Sequence, residues 1–180
     1  TDISKLLVPL GIPNVRFGIS ISEASDYDRT GHDSITFMFS ANKAVPMQEL
    51  SQVASGGEIA RVMLSIKSLV AGARTMPTVI FDEIDTGVSG AVAEKMALLM
   101  KRMSGPDRQV LAITHLPQIA AMGQTHYKVF KTDESDATHT RIAVLDGEDR
   151  IREIAGMMSG STLTQAALDN AKALIDNNGR

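Results

Sequence analysis

The run Thr78-Val79-Ile80-Phe81-Asp82-Glu83-Ile84-Asp85-Thr86-Gly87 limits what this 180-residue chain can fold into more than any other stretch. Four β-prone residues lead straight into two adjacent carboxylates and then into a turn. A short unbroken apolar run bounded by turn signals predicts a strand buried on both faces, as in a parallel sheet. In such sheets ligands bind beyond the carboxyl ends of the strands, which is where Asp82 and Glu83 fall. Two carboxylates in succession end a purely structural strand badly, because they repel each other and both demand solvation. They suit a site in which the first holds a metal and the second takes a proton from an attacking water. A strand end that is merely acidic fits the same ten residues equally well, since an apolar run followed by Asp-Glu is common.

The rest of the chain narrows the class. Its hydrophobic fraction of 43% and charged fraction of 22% are those of an ordinary globular domain, long enough to bury a core. There is no Cys, which removes disulfide frameworks and thiolate metal sites and is compatible with a reducing cytoplasm. A net charge of −3 argues against a surface that is basic overall. The basic residues Arg61, Lys67, Arg74, Lys95, Lys101, Arg102, Lys128 and Lys131 are scattered, without an aromatic-flanked cluster. No apolar run is long enough to span a membrane and no signal peptide is visible, so no membrane partner is expected. The start at Thr1, without Met, fits a processed or truncated piece.

In order, Ile3 to Leu10 has helical spacing and is stopped by Gly11 and Pro13. Val15 to Ser22 and Ser34 to Ser40 read as an antiparallel pair around a polar turn, followed by a loop from Ala41 to Glu49. A helix is predicted from about Ala91 to Met103, capped by Ser89 or Thr86, with Val92, Met96, Leu99, Met100 and Met103 forming a core stripe. Gln109 to Thr114 is expected to be a second buried strand. A strand–helix–strand run predicts a right-handed parallel crossover, which brings His115 to the same rim as Asp82 and Glu83. Pro117 opens a short helix. His126 to Lys131 and Thr140 to Leu145 form a hairpin, and Arg150 to Met158 and Leu163 to Ile175 two last helices. Leu163, Ala166, Ala167, Asn170 and Leu174 are expected on one side of the second, and Asp176 to Arg180 frays.

Between the loop and the central strand stands Val53-Ala54-Ser55-Gly56-Gly57-Glu58-Ile59, which feeds an amphipathic helix carrying Val62, Met63, Ile66, Leu69 and Val70. Ser55 and Glu58 have the spacing of a capping box, in which hydroxyl and carboxylate satisfy each other's backbone N–H. A Ser-Gly-Gly helix start also bares N–H groups at the positive end of a dipole, a seat for phosphate. A plain N-cap remains the alternative.

Ser55-Gly56-Gly57-Glu58, then Asp82-Glu83 with Asp85, then His115 stand in the order and spacing of the second half of an ABC-type ATPase head. They match its signature motif, Walker B strand, D-loop and switch histidine. The flanks Val53 to Arg61, Phe81 to Gly90 and Thr114 to Ala120, with Ile154-Ala155-Gly156-Met157-Met158-Ser159-Gly160 near the end, resemble bacterial RecN, the SMC-like DNA repair ATPases. The resemblance covers nearly the whole chain and is weakest over the first forty or so residues.

The resemblance implies an α/β fold: the C-terminal half of an ABC/SMC-type, P-loop NTPase-like head, with a parallel sheet core, flanking helices and antiparallel hairpins. It implies one lobe over residues 1–180, with the P-loop lobe and coiled coil elsewhere. Ser55, Gly56 and Gly57 would bind the γ-phosphate of ATP held by a second head, and Glu58 would support that loop. Asp82 would hold Mg²⁺ and Glu83 would polarise the attacking water. Asp85 would sit at the dimer interface, and His115 would contact the γ-phosphate. Ala54 departs from the wider ABC pattern, in which Leu often precedes the Ser, but is similar to RecN. No G-x-x-x-x-G-K-[ST] motif occurs, so the chain alone has no Lys to cradle the phosphates and is expected to be inactive by itself. The implied partners are the N-terminal P-loop lobe of the same protein, a second head in a homodimer, and DNA through the full-length protein. The implied setting is a bacterial cytoplasm, at the nucleoid, and the implied role is double-strand break repair and recombination. Two other classes stay open: a non-catalytic protein-interaction module, and a small metal-dependent hydrolytic domain using Asp82 and Glu83.

Overall fold

The computed structural model describes residues 2–29, 31–73, 76–133, 137–160 and 162–178. They form two compact units, Thr1–Leu111 and Ala112–Arg180.

The first unit opens with helix α1 (Asp2–Leu7) and the hairpin of β1 (Arg16–Asp28) and β2 (Gly31–Ser40). The hairpin is longer than its apolar alternation predicts: Glu23 still faces Asp33 and, past an irregularity in register, Asp28 faces Gly31. Its root carries the core. Phe17 opposes Phe39, and both pack with Leu7, Ile12 and Val62. The expected loop before the signature-like segment ends in a short strand β3 (Gln48–Glu49) beside β2 and a single helical turn α2 (Leu50–Val53). Helix α3 (Gly56–Ala73) then buries Val62, Leu64, Ser65 and Ala71. Strand β4 (Thr78–Asp82) follows, then helix α4 (Gly90–Met103). The methionine stripe is core, as its spacing predicts: Met96, Met100 and Met103 are buried with Ala93 and Ala97. Ser89 is the N-cap residue of α4, but its side chain makes no capping hydrogen bond, so the cap expected of it is backbone only.

Strand β5 (Gln109–Ile113) pairs with β4. The Gln109 amide donates to the Pro77 carbonyl at 2.8 Å. The strands therefore meet start to start and run parallel, so both end on the same side. Burial corrects the expectation for both. β4 hides Val79 and Phe81, but Ile80 between them is 53% exposed. Leu111 and Ile113 of β5 are exposed as well. A parallel sheet needs cover on both faces, and one face of this one is bare.

Two cations hold the layers of this unit. The Arg108 guanidinium donates to the carbonyls of Ala71 at the end of α3, Met76 before β4 (3.2 Å) and Met103 at the end of α4 (3.3 Å). One planar fork thus satisfies three chain ends. The Lys67 ammonium donates to the Ile80 carbonyl at 3.0 Å and lies 5.1 Å from the centre of the Phe81 ring. Lys67 is therefore committed to α3–β4 packing, although sequence placed it among the scattered surface charges.

The second unit starts with helix α5 (Pro117–Met122), opened by proline as predicted. The hairpin of β6 (His126–Asp133) and β7 (Thr138–Leu145) follows, then helices α6 (Gly147–Ser159) and α7 (Gln165–Asn178). Its core is small-residue packing of Ala121, Ile154, Ala155, Ala167 and Ala171, flanked by Leu168, Leu174 and Ile175. Of the expected face of α7, Ala167 and Leu174 pack inside, but Ala166 and Asn170 are exposed, and the exposed Leu163 precedes the helix. α7 stays helical to Asn178, through the start of the expected fray; Gly179 and Arg180 lie outside the described residues. Arg74 and Thr75, in the expected turn before β4, and residues 134–136 of the hairpin loop lie outside them too.

Arg150 donates to the carbonyls of Ala121 (3.0 Å) and Gly123, closing the end of α5, and Lys128 pairs with Glu153. Burial holds the His126 imidazole below its usual pKa. The Arg150 charge acts in the same direction, Glu153 opposes it, and Lys128 adds to it. Among the described residues no helix is long and apolar enough to cross a membrane.

Arg108→Ala should cost roughly 2–4 kcal/mol, from lost charged hydrogen bonds and unpaired carbonyls, measured by urea unfolding; a change under about 0.5 kcal/mol would refute the clamp. The lowered pKa of His126 means the unfolded chain binds the extra proton more readily. Its contribution is therefore complete above the usual imidazole pKa and is lost as pH falls through that value towards the lower, folded one. Unfolding in urea across that window should show His126→Gln losing less stability on acidification than the parent chain. Equal losses would contradict the assignment.

Candidate active site at the start of α3 and the end of β4

The start of α3 is a closed capping box. The Glu58 amide donates to the Ser55 hydroxyl at 3.3 Å. The Glu58 carboxylate accepts from both the Ser55 amide (2.8 Å) and the Ser55 hydroxyl (2.9 Å) through one oxygen. The cap is thus real, but it does not exclude the phosphate seat. α3 is an 18-residue helix, and its first N–H groups lie at the positive end of its dipole. Ser55 and Gly56 are exposed there. The two Ser55 donors are the ones a phosphate would use, and Glu58 occupies both.

Gly57 joins this loop to the end of β4. A Cβ on Gly57 would lie 3.1 Å from the Thr86 carbonyl oxygen and 3.7 Å from that of Gly87. Glycine is needed here for close approach, since a side chain would push the two loops apart. The signature-like segment and the Asp82–Gly87 loop, 25 residues apart in sequence, therefore pack backbone to backbone.

At the end of β4 the chain turns sharply. Glu83 has φ +47°, the one non-glycine residue with positive φ among the described residues. A left-handed conformation at a residue with a Cβ costs on the order of 1–3 kcal/mol and persists only where surroundings enforce it. The Thr86 hydroxyl donates to the Glu83 carbonyl at 3.1 Å, and the Val88 amide to the Asp85 carbonyl at 3.1 Å. Asp82 and Glu83 are both exposed, side by side in sequence. Asp85 is not: it is 1% exposed. The exposed part of the loop is Thr86, Gly87 and Ser89.

His115 is exposed and belongs to the second unit. It follows Thr114, whose hydroxyl accepts from the Leu116 amide at 3.0 Å, directly after β5. The structure thus brings together the Ser55–Glu58 and Asp82–Gly87 segments within the first unit. For His115 it gives the local setting alone. Neither carboxylate lines the cavity of about 190 Å³ found elsewhere in this unit, between Phe39, Ser40, Asn42, Pro46, Gln48 and Val53. Sequence reasoning missed Thr86 as a partner of Glu83 and Gly57 as the contact point. The second had a signal, a Gly-Gly pair where one glycine would have served a turn.

Comparison with known proteins decides the family. Over 166 residues the chain is 43% identical to the DNA repair protein RecN of Deinococcus radiodurans, covering 92% of this chain and 29% of that protein. It is 37% identical over 174 residues to RecN of Vibrio cholerae, covering 96% of this chain and 31% of that one. The chain belongs to the RecN family. It spans under a third of the length of these curated relatives. No family model matches. The fold resembles the Smc head domain of Pyrococcus yayanosii, with a TM-score of 0.64 at 19% identity over 88% of this chain and 28% of that one. The fold class is therefore that of an SMC head: mixed α/β, with a parallel strand pair and antiparallel hairpins.

The packing at Gly57 gives a sharp expectation for two neighbouring glycines of this RecN-family chain. A Cβ on Gly56 meets nothing within 4 Å. Gly56→Ala should therefore be neutral or stabilising by up to about 1 kcal/mol. Gly57→Ala must displace the Thr86 carbonyl and should be less stable than Gly56→Ala by about 1–3 kcal/mol. Chemical unfolding of both variants measures the difference; indistinguishable stabilities would show that the two loops are not in contact.

Proposed function

We propose that this chain is half of an ATP-hydrolysing head of a RecN-type protein that acts in DNA double-strand break repair and recombination. The observation that carries the proposal is the backbone contact at Gly57. It seats a phosphate-suited helix start against a loop bearing two exposed carboxylates, in a chain whose sequence is RecN throughout. One unit thus carries a half-site of each kind, its carboxylates for one ATP site and its Ser55 loop for the other, and two paired heads complete both.

In this reading Ser55 and the Gly56 and Gly57 amides serve the γ-phosphate of ATP held by the P-loop of a second head, so the loop acts in trans. Glu58 keeps the loop shaped and fills the Ser55 donors until phosphate replaces it. Asp82 serves Mg²⁺, which keeps several waters and takes one or two carboxylates plus substrate phosphates. The described residues hold no cluster of three or more His, Asp or Glu groups, so the donor set fits that sparse mode and no all-protein cage. When bound, Mg²⁺ and its nucleotide supply charge neutralisation at the transferred phosphoryl group. Glu83 takes the proton of the attacking water. His115 contacts the γ-phosphate from the rim after β5. Asp85 sits at the interface with the second head, in a loop whose exposed residues are Thr86, Gly87 and Ser89.

The bare sheet face supports the remaining partner. Ile80, Leu111 and Ile113 are exposed where a parallel sheet requires cover. The N-terminal P-loop lobe of the same protein is the proposed cover, and residues 1–180 are the C-terminal lobe of the head. DNA is engaged by the full-length protein, at the nucleoid of a bacterial cytoplasm. A non-catalytic interaction module would also expose apolar surface, but has no use for a left-handed Glu83 beside a second carboxylate.

Mixing this chain with a separately made P-loop lobe, with and without linear DNA, tests the proposal. The chain alone should show no ATP turnover. The mixture should turn over ATP, and Glu83→Gln should lower the rate by about 10²-fold or more. Ser55→Arg should block pairing of heads while leaving ATP bound on the P-loop side. Unchanged turnover in Glu83→Gln would remove Glu83 from the chemistry, and associated lobes without turnover would leave the interaction module as the better account.

A further inference from the structure

We propose that Thr86 is a positioning residue for Glu83: its hydroxyl, donated to the Glu83 carbonyl, fixes the left-handed peptide from which the Glu83 carboxylate is aimed. The proposal rests on the reading of Glu83 as the group that polarises water.

Glu83 stands at φ +47°, a conformation that a residue with a Cβ does not keep unaided. It lies immediately after the last residue of β4, so the ladder of the strand no longer holds it. What the structure offers instead is the Thr86 hydroxyl, 3.1 Å from the Glu83 carbonyl oxygen. That bond spans the turn and fixes the peptide plane after Glu83. Rotation of that plane is what would let Glu83 relax to an ordinary conformation and swing its carboxylate away.

Thr86 is itself held. Its own carbonyl oxygen faces Gly57, where a Cβ would lie only 3.1 Å away. On its flanks Asp85 and Val88 are buried and joined by the Val88–Asp85 backbone bond, so the turn has little freedom to shift. The Thr86 side chain is exposed, and its packing contributes little to the fold. Its hydroxyl is therefore best explained by the bond it makes. Thr86 in this way links the helix start that serves phosphate to the carboxylate that serves water, through two contacts on opposite sides of one residue.

Two variants and two readouts decide. Thr86→Val keeps the shape and removes the donor; Thr86→Ser keeps the donor. In the chain itself, without nucleotide, the Glu83 ¹³Cα and ¹³Cβ chemical shifts report its backbone conformation. They should leave left-handed values in Thr86→Val and hold them in Thr86→Ser. In the head assembled with a P-loop lobe, Thr86→Val should lower kcat about tenfold or more with KM for ATP little changed, since misaim of a catalytic group falls on the chemical step. Thr86→Ser should restore kcat to within about twofold. Left-handed Glu83 shifts in Thr86→Val would overturn the proposal, as would wild-type kcat in that variant or equal impairment of both variants. If the unsubstituted head shows no turnover, the hydrolytic reading has failed, and the Glu83 shifts alone still decide whether Thr86 sets this peptide.

Discussion

The close approach of Gly57 to the Thr86 carbonyl is the constraint on which the site depends. Helix α3 and strand β4 are adjacent in the fold, but adjacency of their axes would not bring their functional ends together. That needs a helix start without a side chain on the facing side and a strand that turns sharply at its last residue. Gly57 provides the first, and the left-handed Glu83 the second. Lys67 and Arg108 supply the frame around them, one tying the middle of α3 to the backbone of β4, the other tying the ends of α3 and α4 to the entry of β4. Phe81 of β4, Leu64 of α3 and Met96 of α4 are all buried in this unit.

The two ends of the site differ in what holds them. The α3 end is self-contained: Ser55 and Glu58 satisfy each other within one turn, so this loop keeps its shape without help from distant residues. The β4 end is strained and is held by contacts to Thr86 and by the buried Asp85 and Val88 beneath it. One end of the site is thus held by contacts within a single turn, the other by contacts along its own loop.

Much of this was legible in the sequence, for local reasons. The capping box has a fixed spacing, and β4 is a β-prone run that ends in charge. The methionine stripe of α4 repeats at helical period, and Pro117 marks a helix start. What stayed hidden was non-local. The apolar run of β4 cannot say whether its second face is covered by this chain or by another, so Ile80 was expected inside and lies bare. Asp85 looks like any loop carboxylate until its burial is seen. α7 offers alanines on several sides, so Ala166 was expected inside and lies exposed. Arg108 and Lys67 carry no motif; their roles follow from where three chain ends and one strand carbonyl happen to lie.

The central claim is that two half-sites on separate heads make one ATP site, with Ser55 of one head serving Glu83 of the other. Complementation between assembled heads tests it most directly. Heads carrying Ser55→Ala, which removes the hydroxyl without the bulk that blocks pairing, and heads carrying Glu83→Gln should each be impaired alone. Mixed, they should regain turnover, because a mixed pair contains one site with both residues intact. No recovery from mixed pairs shown to associate would contradict the shared site and place both functions within a single head.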